Sequence, residues 1–550
     1  MSKKSGYLIF SSIMVIFFFF CFTGAHLAKE GNIVWSGKYV LTLLLMCLVC
    51  GILAGILLTK VLGLIKDDIK PEKRRGSGKV GVLSALLYAL AYLPTYLAYY
   101  PGICSYDITI QLGQTVSHDY IDHHPLAHTL LVELFLNLGE MLGSVNLGMG
   151  LYTLFQMLCV AGVMGLGIGL LYERGVALGY LILVQLLGMF LPVYWYMSVS
   201  ATKDVLFTVF VLLLMFAMYK LLWENRSSRR VGKWDIILGI AVVGAILFRN
   251  NGKYAYLVLI VFGVFTCLFA KKNKLLFRRI WIVGVAGYLA GNLLLSALFV
   301  SVDATQGDKR EMLSIPIQQF ARTYVYHGGI DVVPEDDNTL DEDAKAFLND
   351  FIRDEAYRDY RPEIADPVKK YTQTSVALQR AREWIGLYLK LLVEYPGDYI
   401  NAVLAVDAGF VYPFDVSHGD INFNGRDRGL GYIQTRWVEN ELNPMGIYKD
   451  SKWEWLHEKL EDFADVNGYQ DIPVLKYLMM PGFYLWFYLL FAGYLLWKKK
   501  YRRLLPLSFV LGYYVTLLLG PTVQLRYLYP VMVLLPYVLL FCVGEKTVEK

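Results

Sequence analysis

Residues 100–130 combine side chains suited to acid–base chemistry with a complete absence of Lys and Arg. The segment YPGICSYDITIQLGQTVSHDYIDHHPLAHTL holds aspartates, histidines and glutamines but no Lys or Arg. Asp107 follows a Pro-Gly turn, and the pair His123 and His124 stands directly before a proline. A carboxylate beside a bound hydroxyl can act as a general base, an effect of about 10²–10⁴-fold in rate. The segment therefore predicts a catalytic site in which Asp107 is the base.

Four other short segments place polar or charged residues at the edges of apolar runs. A charge at such a position is costly unless it is paired or used. An Arg side chain can bind a phosphate through two parallel hydrogen bonds, so these segments predict a site for a phosphorylated lipid. The candidate residues for binding the phosphate of a donor are Arg526, Arg249 and Lys203. The residues expected to shape the site are His123, His124, Asp204, Asn250, Gln318, Gln319, Arg322, Gln524 and Tyr527.

Each of these groups also has a structural explanation. Lys203 and Asp204 could pair with each other or cap a helix, and Arg249 could be an interfacial side chain with its head in water. The two histidines could serve only to end the loop and begin a helix. Arg526 could fix helix packing through a buried carboxylate. For Asp107 the chemical role is favoured, because no Lys or Arg lies near it in the sequence.

The elements that must position these residues are membrane-spanning helices. The chain has 550 residues, of which 56% are hydrophobic, and a mean hydropathy of +0.44. Runs of about 18 or more apolar residues are long enough to cross a membrane as helices. We therefore expect an all-α polytopic membrane protein with about 12 transmembrane helices. The expected spans are 6–27, 38–65, 80–100, 148–171, 177–198, 203–223, 234–249, 254–270, 280–300, 477–497, 504–520 and 527–544.

Composition also excludes several other classes of protein and site. All cysteines except Cys104 lie in apolar segments, so we expect neither a disulfide framework nor a zinc site. The net charge of +5 comes from short basic clusters beside apolar runs, and no recognition helix stands out, so no nucleic acid partner is expected. Nothing in the sequence requires a cofactor, and nothing supports a divalent metal, although one would be compatible with this chemistry.

The distribution of basic residues predicts which ends of the spans face the cytoplasm. Loops rich in Lys and Arg usually stay inside, and the clearest are 66–79, 220–233, 271–279 and 498–503. Alternation from these loops puts residues 101–147 outside, and every candidate site residue then lies at the outer end of a span. We expect a multi-pass protein of the bacterial cytoplasmic membrane with both termini inside and its active site on the outer face.

Two outer elements are expected between the spans. Residues 126–143 look like a span but would break the alternation, so we expect a juxtamembrane helix lying in the outer interface. A true span with a different topology is the alternative. Residues 301–476 are expected to form one extracytoplasmic insert that is mostly helical. The other divisions are two N-terminal spans with a basic loop (1–79), a core that includes the outer loop 101–147 (80–300), and the C-terminal spans (477–550).

Five short motifs occur in a fixed order along the chain. They are PGxxxxD (101–107), HHP (123–125), KD (203–204), RNN (249–251) and RY..P (526–530). Their order resembles that of the GT-C class of membrane glycosyltransferases, which includes protein mannosyltransferases and aminoarabinose transferases. The last three look like one uncharacterised bacterial branch of that class, under a domain-of-unknown-function label. The resemblance covers about residues 80–544 and is carried by the order of the motifs and by their shared side.

The resemblance implies a specific reaction. Members of this class take a sugar from a polyprenyl-phosphate donor at the outer face and place it on an acceptor, usually with inversion. On this chain Asp107 would be the base, Arg526 or Arg249 would hold the donor phosphate, and the acceptor would be an unknown glycan, lipid or protein. Many relatives carry a second acid beside the first, whereas Ile108 follows Asp107 here. A metal-assisted variant that needs paired acids is therefore in doubt.

Other functions compete with this one. A transporter or lipid flippase would place polar groups near the middle of the membrane and show internal repeats, and neither pattern is present. An envelope polysaccharide polymerase or ligase with a lipid-pyrophosphate donor would need similar arginines, and the sequence barely separates it from a monophosphate-dependent enzyme. A non-catalytic scaffold is the third alternative.

Two segments of the insert are expected to lack a role in the site. Residues 420–431 begin like an EF-hand calcium loop, but the twelfth position is Gly431 instead of Glu, so we expect a turn-rich loop. Residues 333–343 are expected to form a solvated acidic surface.

Overall fold

Helices are the only regular elements in the part of the chain that the structure describes. The computed structural model describes residues 3–64, 74–105, 107–224, 231–269, 274–328, 339–414, 433–465 and 468–541. Within these ranges no strand is formed, and only isolated backbone bridges occur. The expected all-α fold is therefore confirmed for these ranges. Residues 420–431 and the acidic residues 333–338 lie outside them.

The helices up to residue 301 are mostly long. In chain order they are α1 Lys3–Glu30, α2 Gly37–Gly63, α3 Ser77–Ala98, α4 Ile108–Ser117, α5 Leu126–Met141, α6 Val145–Glu173, α7 Leu178–Phe190, α8 Pro192–Val199, α9 Lys203–Glu224, α10 Lys233–Phe248, α11 Asn250–Phe269 and α12 Lys274–Ser301.

The helices after residue 301 are mostly short until the C-terminal region. They are α13 Ser314–His327, α14 Glu342–Phe351, α15 Asp354–Arg358, α16 Asp366–Lys369, α17 Thr374–Gln379, α18 Ala381–Glu394, α19 Pro396–Val411, α20 Glu439–Leu442, α21 Glu454–Ala464, α22 Pro473–Met479, α23 Gly482–Trp497, α24 Leu504–Leu518 and α25 Leu525–Leu534. A 3-10 segment, Leu535–Phe541, continues α25.

The helix lengths indicate a multi-pass membrane protein. In the described ranges, seven helices are long and apolar enough to cross a membrane, namely α1, α2, α3, α6, α9, α11 and α12. Two bent pairs, α7 with α8 and α22 with α23, raise the number to nine if each pair is one span. The other three expected spans coincide with the shorter helices α10, α24 and α25. A total of twelve spans therefore remains a prediction.

Prolines bend two of the segments that the sequence analysis treated as continuous spans. The axes of α7 and α8 differ by 51°, and Pro192 is the first residue of α8. The axes of α22 and α23 differ by 68°, and Pro481 lies between them. A proline lacks the backbone N–H and forces the residue before it into an extended conformation, as seen at Leu191 and Met480. The bend at Pro192 redirects the chain just before α9.

The helix expected over residues 126–143 is present as α5. It packs along α6, where Gly139 lies directly against the backbone of Gly148. With 16 residues, α5 is about 24 Å long, shorter than the hydrocarbon core of a typical bilayer, about 30 Å. Its position relative to a membrane remains a prediction.

The insert has a hydrophobic core of its own. Phe320 of α13 stands edge-on against Phe351, Trp384 and Tyr388, with ring centroids 5.5–6.0 Å apart. Edge-to-face aromatic pairs contribute about 0.5–1.5 kcal/mol beyond their burial. The short helices of the insert are thereby gathered around α13, which places its polar side chains in the interior of the insert.

The first two spans form a closely packed hairpin. Gly51 and Gly55 of α2 are four residues apart and lie directly against the backbone of Val15 and Ser11 in α1. Small residues at this spacing allow two helix backbones to approach closely in a membrane. The hairpin packs in turn on α19 and α23. No role for these spans follows from the sequence, and the structure shows that they support the insert.

Replacing Gly55 with Ala should destabilise the protein, because the new Cβ would overlap the Ser11 backbone. Overpacking of this kind costs about 1–3 kcal/mol. The matched control is Gly162→Ala in α6, where an added Cβ meets no atom within 4 Å. Thermal unfolding in detergent should show a lower Tm for the first variant and an unchanged or higher Tm for the second. Equal Tm values would contradict the close contact of α1 and α2.

Candidate functional site

The loop after α3 is paired with the chain just before α9. The Ile103 amide donates to the Val199 carbonyl, and the Ala201 amide donates to the Ile103 carbonyl, each at 2.9 Å. The helix α9 begins two residues later at Lys203, and α4 begins directly after Asp107. This short parallel pairing therefore sets the start of α4 beside the start of α9.

The Asp107 carboxylate is bound by two cations from distant parts of the chain. Arg526, in the first turn of α25, donates from Nη1 to Oδ2 at 3.0 Å and from Nη2 to Oδ1 at 3.2 Å. The Nζ atom of Lys203 donates to Oδ2 at 2.8 Å. The side chain of Asp107 is 26% exposed, against 4% for Arg526 and 12% for Lys203. A ligand from solvent would therefore meet the carboxylate before it met the cations.

These charges determine the protonation of Asp107. Burial by itself would raise the pKa of this carboxyl, but the nearby Arg526 and Lys203 charges outweigh burial and hold the pKa of Asp107 well below its usual range. In the ligand-free protein Asp107 is therefore an ionised but weakly basic group. Its basicity would rise only if a competing anion drew the cations away.

His124 lies on the other side of Lys203. Its Nδ1 atom is 2.9 Å from Nζ of Lys203 and 3.8 Å from Oδ2 of Asp107. An ammonium group can only donate, so Nδ1 accepts and the imidazole proton resides on Nε2. Burial, reinforced by the Lys203 charge, lowers the pKa of His124 to about 3. The Nε2 atom is buried and has no hydrogen-bond partner among the described residues, which makes it a donor that a ligand could use.

A second buried ion pair stands beside the first. Asp204 is fully buried, and its Oδ1 atom contacts Nη1 of Arg249. Its Oδ2 atom accepts from the Thr202 hydroxyl at 3.1 Å and lies 4.0 Å from Nε of Arg526. Arg526 thereby joins both ion pairs into one network. Lys203 and Asp204 each pair across the fold, and the alternative in which they pair only with each other is not what the structure shows.

Aromatic rings and an amide surround the two arginines. The Nε atom of Arg526 donates to Oε1 of Gln524 at 2.6 Å, and its Cζ lies 4.9 Å from the Tyr527 ring. Aromatic faces attract a nearby cation by about 0.5–2 kcal/mol. The rings would therefore go on stabilising the guanidinium charges when their anionic partner changes. The rings around Arg249 belong to Phe207, Tyr513 and Tyr527, at 5.7, 5.6 and 5.0 Å from its Cζ.

Asn250 and His123 lie at the margin of this network. The Nδ2 atom of Asn250 is 3.5 Å from the carbonyl oxygens of Asp122 and His123. The ring of His123 stands edge-on to that of His124, with centroids 4.6 Å apart. Asn250 thus connects the start of α11 to the backbone of Asp122 and His123. This contact positions the loop and does not involve Asp107.

Two predicted site residues of α13 make their contacts inside the insert. The Nε2 atom of Gln318 donates to the Arg361 carbonyl at 2.8 Å. Oε1 of Gln319 accepts from the Tyr388 hydroxyl at 2.7 Å. Neither is in contact with Asp107 among the hydrogen bonds of the described residues. Both side chains therefore form their hydrogen bonds within the insert, and we assign them no part in the Asp107 network.

Arg322 fastens the insert to the N-terminal hairpin. Its Nη2 atom donates to Oδ1 of Asn32 at 2.6 Å, and its Nε lies 3.5 Å from Asp398. The same oxygen of Asn32 accepts from Nδ2 of Asn401 at 2.6 Å, while Oδ1 of Asn401 accepts from the Trp35 indole at 2.8 Å. Arg322 therefore belongs to a separate buried network that locks the loop between α1 and α2 onto α13 and α19.

A buried histidine that the sequence analysis passed over holds α4, α5 and α6 together. The Nε2 atom of His128 lies 2.6 Å from the Tyr152 hydroxyl, and Nδ1 lies 3.1 Å from Oε1 of Gln111. Nε2 of Gln111 donates to the Thr129 hydroxyl at 2.8 Å. Because α4 starts directly after Asp107, this network supports the carboxylate from behind. The sequence signal that could have indicated this network is the presence of Gln111 and His128, two polar residues, on helix faces that are otherwise apolar.

Glu363 is a buried carboxylate in a segment of the insert that contacts the loop before α25. It is buried, and burial raises its pKa to about 7. Its segment is tied to the loop before α25, since the Ala365 amide donates to the Pro521 carbonyl at 2.8 Å. The sequence around Glu363 resembles a surface turn and gives no sign of this burial.

Among the described residues no group of three or more His, Cys, Asp or Glu side chains is arranged to hold a metal ion.

Asp204→Asn should strongly destabilise the protein, because the buried charge of Arg249 would lose its counter-charge. Breaking one side of a buried pair costs about 3–5 kcal/mol, whereas removing both charges is often nearly neutral. The double variant Asp204→Asn with Arg249→Met should therefore recover most of the lost stability. Thermal unfolding in detergent compares the three proteins, with the exposed Asp119→Asn as control. A double variant as unstable as the single one would contradict this pairing.

His124 should make the free energy of unfolding depend on pH. In the unfolded chain a histidine takes up a proton near pH 6.5, whereas folded His124 stays neutral down to about pH 3. The stability it contributes is complete above the unfolded pKa and falls with pH by up to about 1.4 kcal/mol per pH unit. Chemical unfolding between about pH 7 and pH 5 should show a shallower decline for His124→Gln than for wild type.

The control for this measurement is His118→Gln, since the side chain of His118 is 71% exposed. It reports the effect of exchanging a histidine for a glutamine at an exposed position. Identical slopes for wild type and His124→Gln would mean that His124 is not held neutral.

Comparison with known proteins gives a family and no activity. No curated protein and no solved structure matches the chain. One family model, described as a family of unknown function (DUF6020), matches residues 114–550. The match begins seven residues after Asp107 and includes His124, Lys203, Arg249 and Arg526. It agrees with the expectation of an uncharacterised family. Because it covers more than half of the chain, the protein belongs to the DUF6020 family.

Proposed function

We propose that the protein is a membrane glycosyltransferase that moves a sugar from a polyprenyl-phosphate donor to an acceptor on the extracytoplasmic side of a bacterial membrane. The observation that carries this proposal is the buried network around Asp107. The network gathers a carboxylate that solvent can reach, a neutral histidine with a free N–H group, and three cations at one end of the helical bundle. These are the groups that a sugar phosphodiester and an acceptor hydroxyl require.

The charge of the network favours a ligand with one negative charge. Three cations, Lys203, Arg249 and Arg526, face two carboxylates, which leaves one positive charge in excess. His124 adds none, since its low pKa keeps it neutral. A phosphodiester between a lipid and a sugar carries one negative charge, whereas a pyrophosphate diester carries two. The balance therefore favours the monophosphate donor over the pyrophosphate donor of a polymerase or ligase.

A lateral groove supports a lipid-linked donor. A cavity of ≈ 620 Å³ lies between α10 and α12, and its lining is apolar apart from Asp235. Asp235 is itself paired with Arg279 at 2.9 Å, at the far end of α10. The groove runs along α10 to Phe248, and Arg249 is the next residue. A prenyl chain lying in this groove would bring its phosphate to the arginines.

The proposed reaction uses Asp107, His124 and the three cations of the network. The donor phosphate binds Arg526, Arg249 and Lys203. It competes with Asp107 for Arg526 and Lys203, so the carboxylate becomes more basic. The acceptor oxygen then bonds to the anomeric carbon of the sugar while the bond from that carbon to the phosphate oxygen breaks. The proton of the acceptor passes to Asp107, and the phosphate leaves with the electron pair, stabilised by the arginines and by Nε2–H of His124.

The sidedness of the site is part of the same proposal. The loops rich in Lys and Arg lie away from the end of the bundle that holds the network. They favour a cytoplasmic location for both termini and an outer location for Asp107. The acceptor would then be a glycan, lipid or protein of the cell envelope. No cofactor enters the proposed reaction, and the residues of the network suffice for each step.

Asp107→Asn should lower kcat about 10²–10⁴-fold and at the same time tighten donor binding. The amide can no longer accept a proton, and it no longer competes with the donor phosphate for Arg526. Arg526→Gln should instead weaken binding and lower kcat about 10²–10³-fold. Asp119→Asn, in the same loop but exposed, is the matched control and should behave like wild type. The assay incubates purified protein with bacterial lipid extract and radiolabelled sugars linked to either polyprenyl phosphate or polyprenyl pyrophosphate, and scores label that leaves the lipid.

The outcomes separate the alternatives. Equal turnover by wild type and Asp107→Asn would remove Asp107 from the reaction. Consumption of pyrophosphate-linked donors alone would favour a polymerase or ligase. If no lipid-linked sugar is consumed, the transferase proposal fails.

A further inference from the structure

A cavity with a polar lining, separate from the apolar groove along α10, borders the loop that leads to Asp107. It measures ≈ 160 Å³ and is bounded by the end of α3, the segment 435–437 and α21. A cavity needs only about 10–15 Å³ to hold one water molecule, so this one has room for a molecule of the size of a sugar ring. The residues of its lining that matter here are Tyr99, Arg436, Trp437, Lys449, His457 and Glu461.

Hydrogen bonds hold the walls of this cavity in place. The Asp450 amide donates to the Tyr100 carbonyl at 3.0 Å, and the Lys452 amide donates to the Leu97 carbonyl at 2.8 Å. The His457 ring meets the Tyr99 ring edge-on, with centroids 4.7 Å apart. The cavity is therefore formed before any ligand arrives, as is usual for small-molecule sites.

Several buried polar atoms of its lining residues have no hydrogen-bond partner among the described residues. Nδ1 of His457 and Nε1 of Trp437 make no hydrogen bond among the described residues, although His457 is only 4% exposed. More than nine in ten buried polar groups are hydrogen-bonded, so such atoms need a ligand or an ordered water. By contrast, Oε2 of Glu461 is already satisfied by the Thr435 hydroxyl at 2.9 Å.

The charges around the cavity indicate what kind of molecule it would take. Arg436 and Lys449 are exposed cations, and Glu461 is the one acid among the lining residues. The balance is positive, so a bound molecule with a carboxylate or phosphate is favoured. Aromatic rings offer an apolar body with polar atoms at the edge, which suits a ring that carries hydroxyl groups.

The cavity is separated from Asp107 by very little chain. The Ser105 hydroxyl donates to the Arg436 carbonyl at 2.7 Å. Asp107 is two residues further on, which is at most about 7 Å of extended backbone. The loop 101–105 therefore forms part of the cavity wall and also leads directly to Asp107.

We infer that this cavity binds a sugar that bears a carboxylate or phosphate group. Its assignment as the acceptor site rests on the proposed transferase function and on the short stretch of chain that joins the cavity wall to Asp107. Trp437 and His457 would hydrogen-bond its hydroxyl groups, and Arg436 would bind its anionic group. This site is separate from the arginines that would hold the donor phosphate.

The test measures binding of glucuronate and glucose 1-phosphate to the full-length protein in detergent by saturation-transfer NMR, with neutral glucose for comparison. At least one anionic sugar should bind at least tenfold more tightly than glucose. Trp437→Phe keeps the ring but removes the N–H donor, and Arg436→Gln changes an exposed side chain. Both variants should weaken binding of the anionic sugar about three- to tenfold, which corresponds to about 0.7–1.4 kcal/mol. Thermal unfolding confirms that each variant is folded.

Arg526→Gln distinguishes the two sites. If the cavity holds the sugar, this variant binds it like wild type; if binding is lost, the anion was at the Asp107 network and the inference fails. It also fails if neither anionic sugar binds, if glucose binds as well as both, or if Trp437→Phe and Arg436→Gln bind normally. Binding that meets these criteria while no lipid-linked donor is consumed would keep the cavity as a sugar site and overturn the transferase proposal alone.

Discussion

The ion pair between Arg526 and Asp107 joins residues 419 positions apart and sets the geometry of everything around it. It holds the start of α25 against the loop after α3, and Lys203 brings the start of α9 to the same carboxylate. Through Arg526 the pair also borders Asp204 and Arg249, which adds the end of α10. Four helix ends therefore meet at one small group of charges.

Such a group is stable only because its charges are nearly balanced and closely packed. An isolated charge in this environment would cost several kcal/mol, and the aromatic rings around Arg249 offer it a favourable electrostatic surface in place of water. The remaining positive charge is the feature that packing alone does not explain. A structural network would be expected to close with no excess charge, whereas a binding site for an anion should keep one.

Membrane insertion restricts where charges can lie, and for this reason the sequence suggests a shared site for these residues. On the expected topology, basic loops mark the ends of the spans and put Asp107, Lys203, Arg249 and Arg526 in one thin layer before any packing is known. Confinement to a layer does not determine position within it. The sequence predicts the same layer for Arg322. In the structure α13 packs in the aromatic core of the insert, and Arg322 contacts Asn32 instead.

Other features lie beyond what the sequence alone can show. The bends at Pro192 and Pro481 depend on how neighbouring helices accept the broken backbone, and a hydropathy profile reads each segment as one span. The partnership of His128 with Tyr152 depends on the crossing of α5 and α6. The burial of Glu363 depends on a turn of the insert that lies against the loop before α25. Each of these is a contact between segments far apart in the chain.

The same ion pair that organises the fold also limits when Asp107 can react. While Arg526 and Lys203 hold the carboxylate, its pKa is too low for it to take a proton from a hydroxyl. On the proposed reaction, a donor phosphate competes for Arg526 and Lys203 and releases the carboxylate, so the base becomes active only when the sugar to be transferred is present. Water near an empty site would then not be activated. An acceptor in the cavity behind loop 101–105 would in turn find a reactive base only after the donor has bound, which imposes donor-first order through electrostatics alone.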